Sequence, residues 1–116
     1  MTREQILQYV KEEYGTVSEH LWAKYPNYEI LRKPDSGKWY GALMDVPKNK
    51  IGLQGEAITD ILVLKDKPEN VVHICEMEGF APAYHMNKKH WFAVILDGAD
   101  EKAVYGMIDK SYELTK

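Results

Sequence analysis

Apolar residues along this chain switch between two spacings, and the switches mark the elements. Ile6, Leu7, Val10 and Tyr14 recur at helical spacing and define one buried stripe. Thr2 followed by Gln5 reads as a capping box that starts this helix, and Gly15 is a natural stop. Residues 16–27 fit neither period. Ser18 with Leu21, Trp22 and Tyr25 allows a short helical turn that Pro26 and Asn27 would end. From Tyr28 to Lys33 a weak alternation predicts a strand, and Pro34-Asp35-Ser36-Gly37 supplies turn chemistry, with Gly37 free to take positive φ. The run from Trp39 to Val46 returns as its hairpin partner, and Pro47 ends it. A polar, Gly-containing loop over 47–57 follows.

Ile58 to Leu64 is rich in branched apolar residues and predicts a third strand. Asp66 as cap, Pro68 in the first turn and Glu69 at the third position then open a helix. Val71, Val72, Ile74, Cys75 and Met77 would be its inner side, and Gly79 lies beyond its end. Residues 83–86 predict a short strand turning through Asn87 and Lys88 into Trp91–Leu96, the most strand-like run in the chain. Asp97 and Gly98 end that run, and residues 100–115 predict a last helix with Val104, Met107, Ile108 and Tyr112 inward. The order is α-β-β-β-α-β-β-α. Adjacent strands joined by short turns imply an α+β fold with an antiparallel sheet of about five strands. Three amphipathic helices would cover one face and leave the other partly open.

Composition narrows the class. At 116 residues, with 45% hydrophobic and 28% charged positions, the chain is expected to be a single globular domain over residues 1–116. No repeat or low-complexity tract interrupts it. Cys75 is the lone cysteine, so no internal disulfide is possible, which suits a reducing cytoplasm. The polar first residues do not read as a signal peptide, and no apolar run approaches the roughly 20 residues of a membrane span. The net charge of −3 speaks against indiscriminate nucleic-acid affinity, yet the charge is uneven. Residues 32–50 hold five cations against two carboxylates, whereas 56–78 hold six carboxylates against two lysines.

Pro82-Ala83-Tyr84-His85-Met86-Asn87-Lys88-Lys89-His90-Trp91 carries the densest chemistry: two histidines, two lysines, an asparagine and large aromatics, without an acid. Together with Gly37-Lys38-Trp39-Tyr40 and the terminal Ser111-Tyr112-Glu113-Leu114-Thr115, in matching order across nearly the whole chain, it resembles the MmcQ/YjbR family. That resemblance implies an α+β fold similar to type III secretion chaperones and to frataxin, and no enzymatic activity. It also implies a DNA-binding role through two wing-like projections, here the 34–38 hairpin tip and the 86–90 turn.

The candidate contact set is therefore Lys33, Lys38, Trp39, Tyr84, His85, Asn87, Lys88, Lys89, His90 and Trp91. Lysines would meet phosphates, Asn87 would donate a hydrogen bond, and the aromatics would stack on bases. The plainer reading is a tight hairpin whose Trp91 simply begins a core strand. The alternative to a nucleic-acid partner is a protein-binding or chaperone-like module, possibly dimeric, suggested by the acidic balance and the partly open sheet face.

Other chemistries find little support. His85 and His90 would face one another if 86–89 formed the turn, but zinc takes three or four ligands. His73 and Cys75 point to different faces of a helix. Glu4, Glu12, Glu13 and Glu19 are the only trace of a frataxin-like acidic ridge, and a solvated helix face looks the same. Gly52-Leu53-Gln54-Gly55 lacks the Walker spacing and its Lys-Ser/Thr, and Ser18, Ser36 and Ser111 sit in no nucleophile elbow. No catalytic residue, cofactor or metal is assigned.

Overall fold

Thr2 opens the molecule as the sequence predicts. The computed structural model describes residues 1–116. The Thr2 hydroxyl accepts from the Gln5 N–H while the Gln5 side chain accepts from the Thr2 N–H, closing the capping box of helix α1, Arg3–Tyr14. Gly15 ends that helix in the left-handed region at φ 69°. Strand β1 (Glu29–Arg32) and β2 (Trp39–Pro47) form the hairpin, with Gly37 at φ 73° in its tip. A 3-10 turn over Lys48–Ile51 precedes β3 (Ile58–Lys65). Helix α2 (Pro68–Ile74), β4 (Phe80–Pro82), β5 (Trp91–Ile95) and α3 (Glu101–Leu114) complete the chain.

The five strands make one antiparallel sheet in the order β1-β2-β3-β5-β4. Period-two alternation sorts their side chains. Tyr40, Leu43, Leu62, Leu64, Phe92 and Val94 face the helices and meet Ile6 and Val10 of α1, Val71 of α2, and Val104 and Ile108 of α3. Each fully buried side chain of this size contributes roughly 1.5–3 kcal/mol.

Four expectations are corrected. The second sheet face is not left open: Ala42, Met44, Val46, Ile61, Val63, Ala93 and Ile95 form a second core, closed by Tyr28, Ile51, Ala81 and Ala83 with Trp22, Tyr84 and Met86. Small side chains at Ala42 and Ala93 let irregular segments lie close to the sheet. Burial on both faces also explains why β3 and β5 read as nearly continuous apolar runs. Residues 16–27 form no helical turn; Glu19 instead pairs with Ile30 through two backbone bonds, covering the free edge of β1. The fourth strand lies at Phe80–Pro82 rather than 83–86, because His85 at φ 61° breaks extended structure just beyond it. Asp66 lies one residue before the α2 N-cap, Lys67, and holds the Lys67 N–H and the Asn70 amide. No helix is long and apolar enough to cross a membrane.

Tyrosines weld α1 to α3. Tyr9 and Tyr14 both donate to the Asp109 carboxylate, Tyr14 stacks on Tyr112 at 3.9 Å, and Tyr40 donates to the Thr16 hydroxyl at 2.7 Å. Burial, followed by the bond to Asp109, pushes the Tyr9 and Tyr14 phenols well above their ordinary value; burial pushes Tyr40 up to about 12. A phenol whose folded pKa exceeds its unfolded value of about 10 favours folding while neutral. That stability is complete below about pH 10 and drains as pH rises toward the folded values. Thermal melts followed by circular dichroism are expected to show a falling Tm only above about pH 10, with tyrosinate absorbance rising as the fold is lost. Ordinary titration of all eight tyrosines near pH 10 without loss of Tm would contradict this packing.

Candidate functional site

Alternation and register bring three strand ends together on the second face. β2 begins at Trp39, β3 ends at Lys65 and β5 begins at Trp91. Lys65 pairs directly with Trp91, and its Nζ lies 4.9 Å from the indole centroid. This cation–π placement buries part of the lysine stem. Burial, and then the neighbouring Lys38, lower the Lys65 ammonium pKa from its ordinary value. Two lysines from different segments therefore share one small region. A bulge between Leu31 and Arg32 lies at the same end of the sheet, where β2 spends an extra residue, Tyr40, against β1.

The 33–38 tip, the 65–68 connection and the 87–90 turn all lie at this end, because the strands they join run antiparallel. The turn is held by the His90 and Trp91 N–H groups, which donate to the Asn87 carbonyl, and by the Lys89 N–H, which donates to Asn87 Oδ1 at 2.8 Å. Asn87 thereby keeps its amide NH2 free. A concavity of about 510 Å³ is lined here by Lys65, Asp66, Lys67, Asn87, His90 and Trp91, with Pro68 and Leu114. Asp66, its one acid, is buried and spent on the Lys67 N–H, Asn70 and an ion pair with Lys110 at 3.3 Å.

The ten candidate residues divide into separate groups. Lys38, Asn87, Lys88, Lys89, His90 and Trp91 belong to the cationic end, and Lys88 and Lys89 are exposed on the turn. Lys33 does not join them: its Nζ crosses to the helix side and sits 4.4 Å above the Tyr112 ring. Trp39, Tyr84 and His85 turn into an aromatic region over the second face. There Trp22, Tyr25, Tyr28, Trp39, Met44, His85 and Met86 line a pocket of about 260 Å³. Trp22 meets Trp39 and Tyr28 edge-on at 6.0 Å, and Tyr25 stacks on Tyr28 at 4.7 Å. His85 packs 3.9 Å from the Tyr84 ring centroid. Because the chain turns at Asn87 rather than at Met86, His85 and His90 go to different places. No three His, Cys, Asp or Glu side chains come together.

Lys65, Lys67, Arg32 and the pocket aromatics other than Trp39 were missed from sequence. Lys65 had a usable signal, since period two puts it on the face of Ile61 and Val63, at the end where the tips project. Asp35 is exposed in the 33–38 tip itself, but other acids gather at the opposite end. Arg3 holds Asp60 and Glu29, and Asp60 and Asp97 sit beside the start of β3. Ile58 and Lys65, at opposite ends of that strand, are about 23 Å apart.

Residues 12–114 match the YjbR family. The uncharacterized protein YyaQ of Bacillus subtilis (strain 168) is 44% identical over 117 residues, spanning 100% of this chain and 99% of that protein. A crystal structure of a Pseudomonas syringae protein is similar with a TM-score of 0.96 at 40% identity, covering 100% of both chains. A Deinococcus radiodurans protein, 20% identical, shares the fold with a TM-score of 0.74 over 97% of this chain and 77% of that one.

Proposed function

The chain belongs to the YjbR family, and on that premise we propose that it is a nucleic-acid-binding module working through the lysine- and tryptophan-bearing end of its sheet. The observation that carries this reading is Lys65, held over the Trp91 indole and close enough to Lys38 to feel its charge. A cation beside an aromatic face suits a phosphate followed by a stacked base, the combination that single-stranded nucleic acid presents. Lys38, Lys67, Lys88 and Lys89 add phosphate contacts around the concavity, and the free Asn87 amide adds a donor.

The acidic body is compatible with this role. The strand-start carboxylates lie roughly 17–23 Å from Lys65, up to about two Debye lengths at 0.1 M salt, and the exposed acid of the tip, Asp35, is outnumbered there by Lys38, Lys65, Lys67, Lys88 and Lys89. The module performs no chemistry in this reading. The Ser111 hydroxyl is committed to two backbone groups, and burial pushes the Cys75 thiol up, away from thiolate.

The test is fluorescence anisotropy with a labelled single-stranded oligonucleotide across a salt series. With three or four phosphate contacts, the logarithm of the binding constant should fall with the logarithm of salt at a slope of about −2 to −3. Flat titrations at low ionic strength would end the proposal.

A further inference from the structure

The aromatic pocket is unused by the phosphate contacts described above, and its walls have the chemistry of a base site. We propose that it receives one unstacked nucleobase of the bound strand, an inference that rests on the nucleic-acid reading. Trp22, Tyr25, Tyr28 and Trp39 offer ring faces and edges, with Met44 and Met86 completing the cavity and His85 adding ring nitrogens. At about 260 Å³ it falls below the roughly 300–1,000 Å³ of pockets for drug-sized molecules, which suits one planar ring system.

Charge separates this guest from the other one an aromatic cage favours, a quaternary ammonium. Two cations flank its rings from outside the lining: Lys24 Nζ lies 5.8 Å from the Tyr25 centroid, and the Arg32 guanidinium, paired with Glu19 at 2.8 Å, lies 5.8 Å from Trp39. A cationic guest would meet like charge there. A neutral heterocycle trailing a phosphate would meet the opposite sign. The pocket also adjoins the cationic end, since Trp39, which lines it, packs against the same sheet face as Trp91. A strand tracking the lysines needs only one nucleotide turned inward to fill it.

His85 supports the same site from the backbone. It is the one residue other than glycine with positive φ, at 61°, in a conformation that costs free energy and tends to persist at ligand-contacting positions.

The experiment compares a labelled oligonucleotide of about eight nucleotides with its abasic counterpart, which keeps the same phosphates. The protein is used as the full chain, as Trp22→Ala and as Met86→Trp, the second filling the pocket without opening a cavity. The expected result is roughly 10- to 100-fold tighter binding of the base-bearing strand. Both variants are expected to remove most of that preference, leaving only the part that stacking on Trp91 supplies, with the salt slope unchanged. Should Trp22→Ala fail to fold, Met86→Trp alone decides. A base preference that survives the folded variants undiminished overturns the pocket assignment and leaves the nucleic-acid reading standing; equal binding of the two strands by the parent chain overturns the pocket and the Trp91 stacking and leaves only the phosphate contacts. Binding of neither strand at low salt overturns both.

Discussion

Replacing Ser111 with alanine is expected to lower stability by about 2–4 kcal/mol, through two backbone groups rather than through packing. The Ser111 side chain is fully buried. Its hydroxyl accepts from the Lys65 N–H at 2.9 Å and donates to the Tyr40 carbonyl at 2.5 Å. These groups lie one step past the Gly41–Leu64 pair, where the β2–β3 register ends. Helix α3 thus completes a ladder that the two strands have left. Alanine removes only the hydroxyl oxygen and cannot bond, so a buried donor and a buried acceptor lose their partner, at about 1–3 kcal/mol each before relaxation. Urea unfolding should show a lower midpoint with an unchanged slope. A change under about 0.5 kcal/mol would mean that the strand ends find other partners. Because Ser111 anchors the backbone of Lys65, the same substitution should loosen the end of β3 that carries the proposed contact.

Charge reversal of Lys38 and Lys65 together should weaken oligonucleotide binding on the order of 100-fold at low salt and flatten the salt slope by about 1.4. Lys65 is held against Trp91 and Lys38 lies close enough to lower its pKa, so two glutamates would replace attraction with repulsion where a phosphate would sit. Net charge changes by the same amount when Lys48 and Lys50, which follow β2 at the far end of the sheet, are reversed instead. That control should cost no more than about threefold when both double variants are compared at about 0.1 M salt, where those positions lie beyond two Debye lengths. Equal losses in both double variants would trace the effect to total charge and remove the site.

Most of the fold was legible because local chemistry and tertiary structure agree. The Thr2–Gln5 box, Gly15, the Pro34–Gly37 tip and the helical stripes of α1 and α3 each specify their element without help from distant residues. The candidate site was legible only in part. Pro82–Trp91 looks like one patch in sequence, yet the left-handed His85 sends Tyr84–Met86 over the second sheet face while Asn87–His90 turns out at the sheet end. Contiguity therefore overstated proximity. Lys33 has the reverse history: a lysine near a hairpin tip is an obvious phosphate ligand, but Tyr112 arrives from residue separations that no local pattern encodes. Trp22 and Tyr25 fit no period because they follow the contour of a sheet face, where they pack on Tyr28, and not a ladder of their own.

The central claim is that one end of the sheet holds nucleic acid, and amide and indole NMR shifts during titration with a single-stranded oligonucleotide test it most directly. The expected result is a saturable, salt-sensitive set of shifts at residues 34–39, 65–67 and 87–91, the Trp91 indole among them. Shifts confined to the outer surfaces of α1 and α3, or no shifts at millimolar oligonucleotide in low salt, would contradict it.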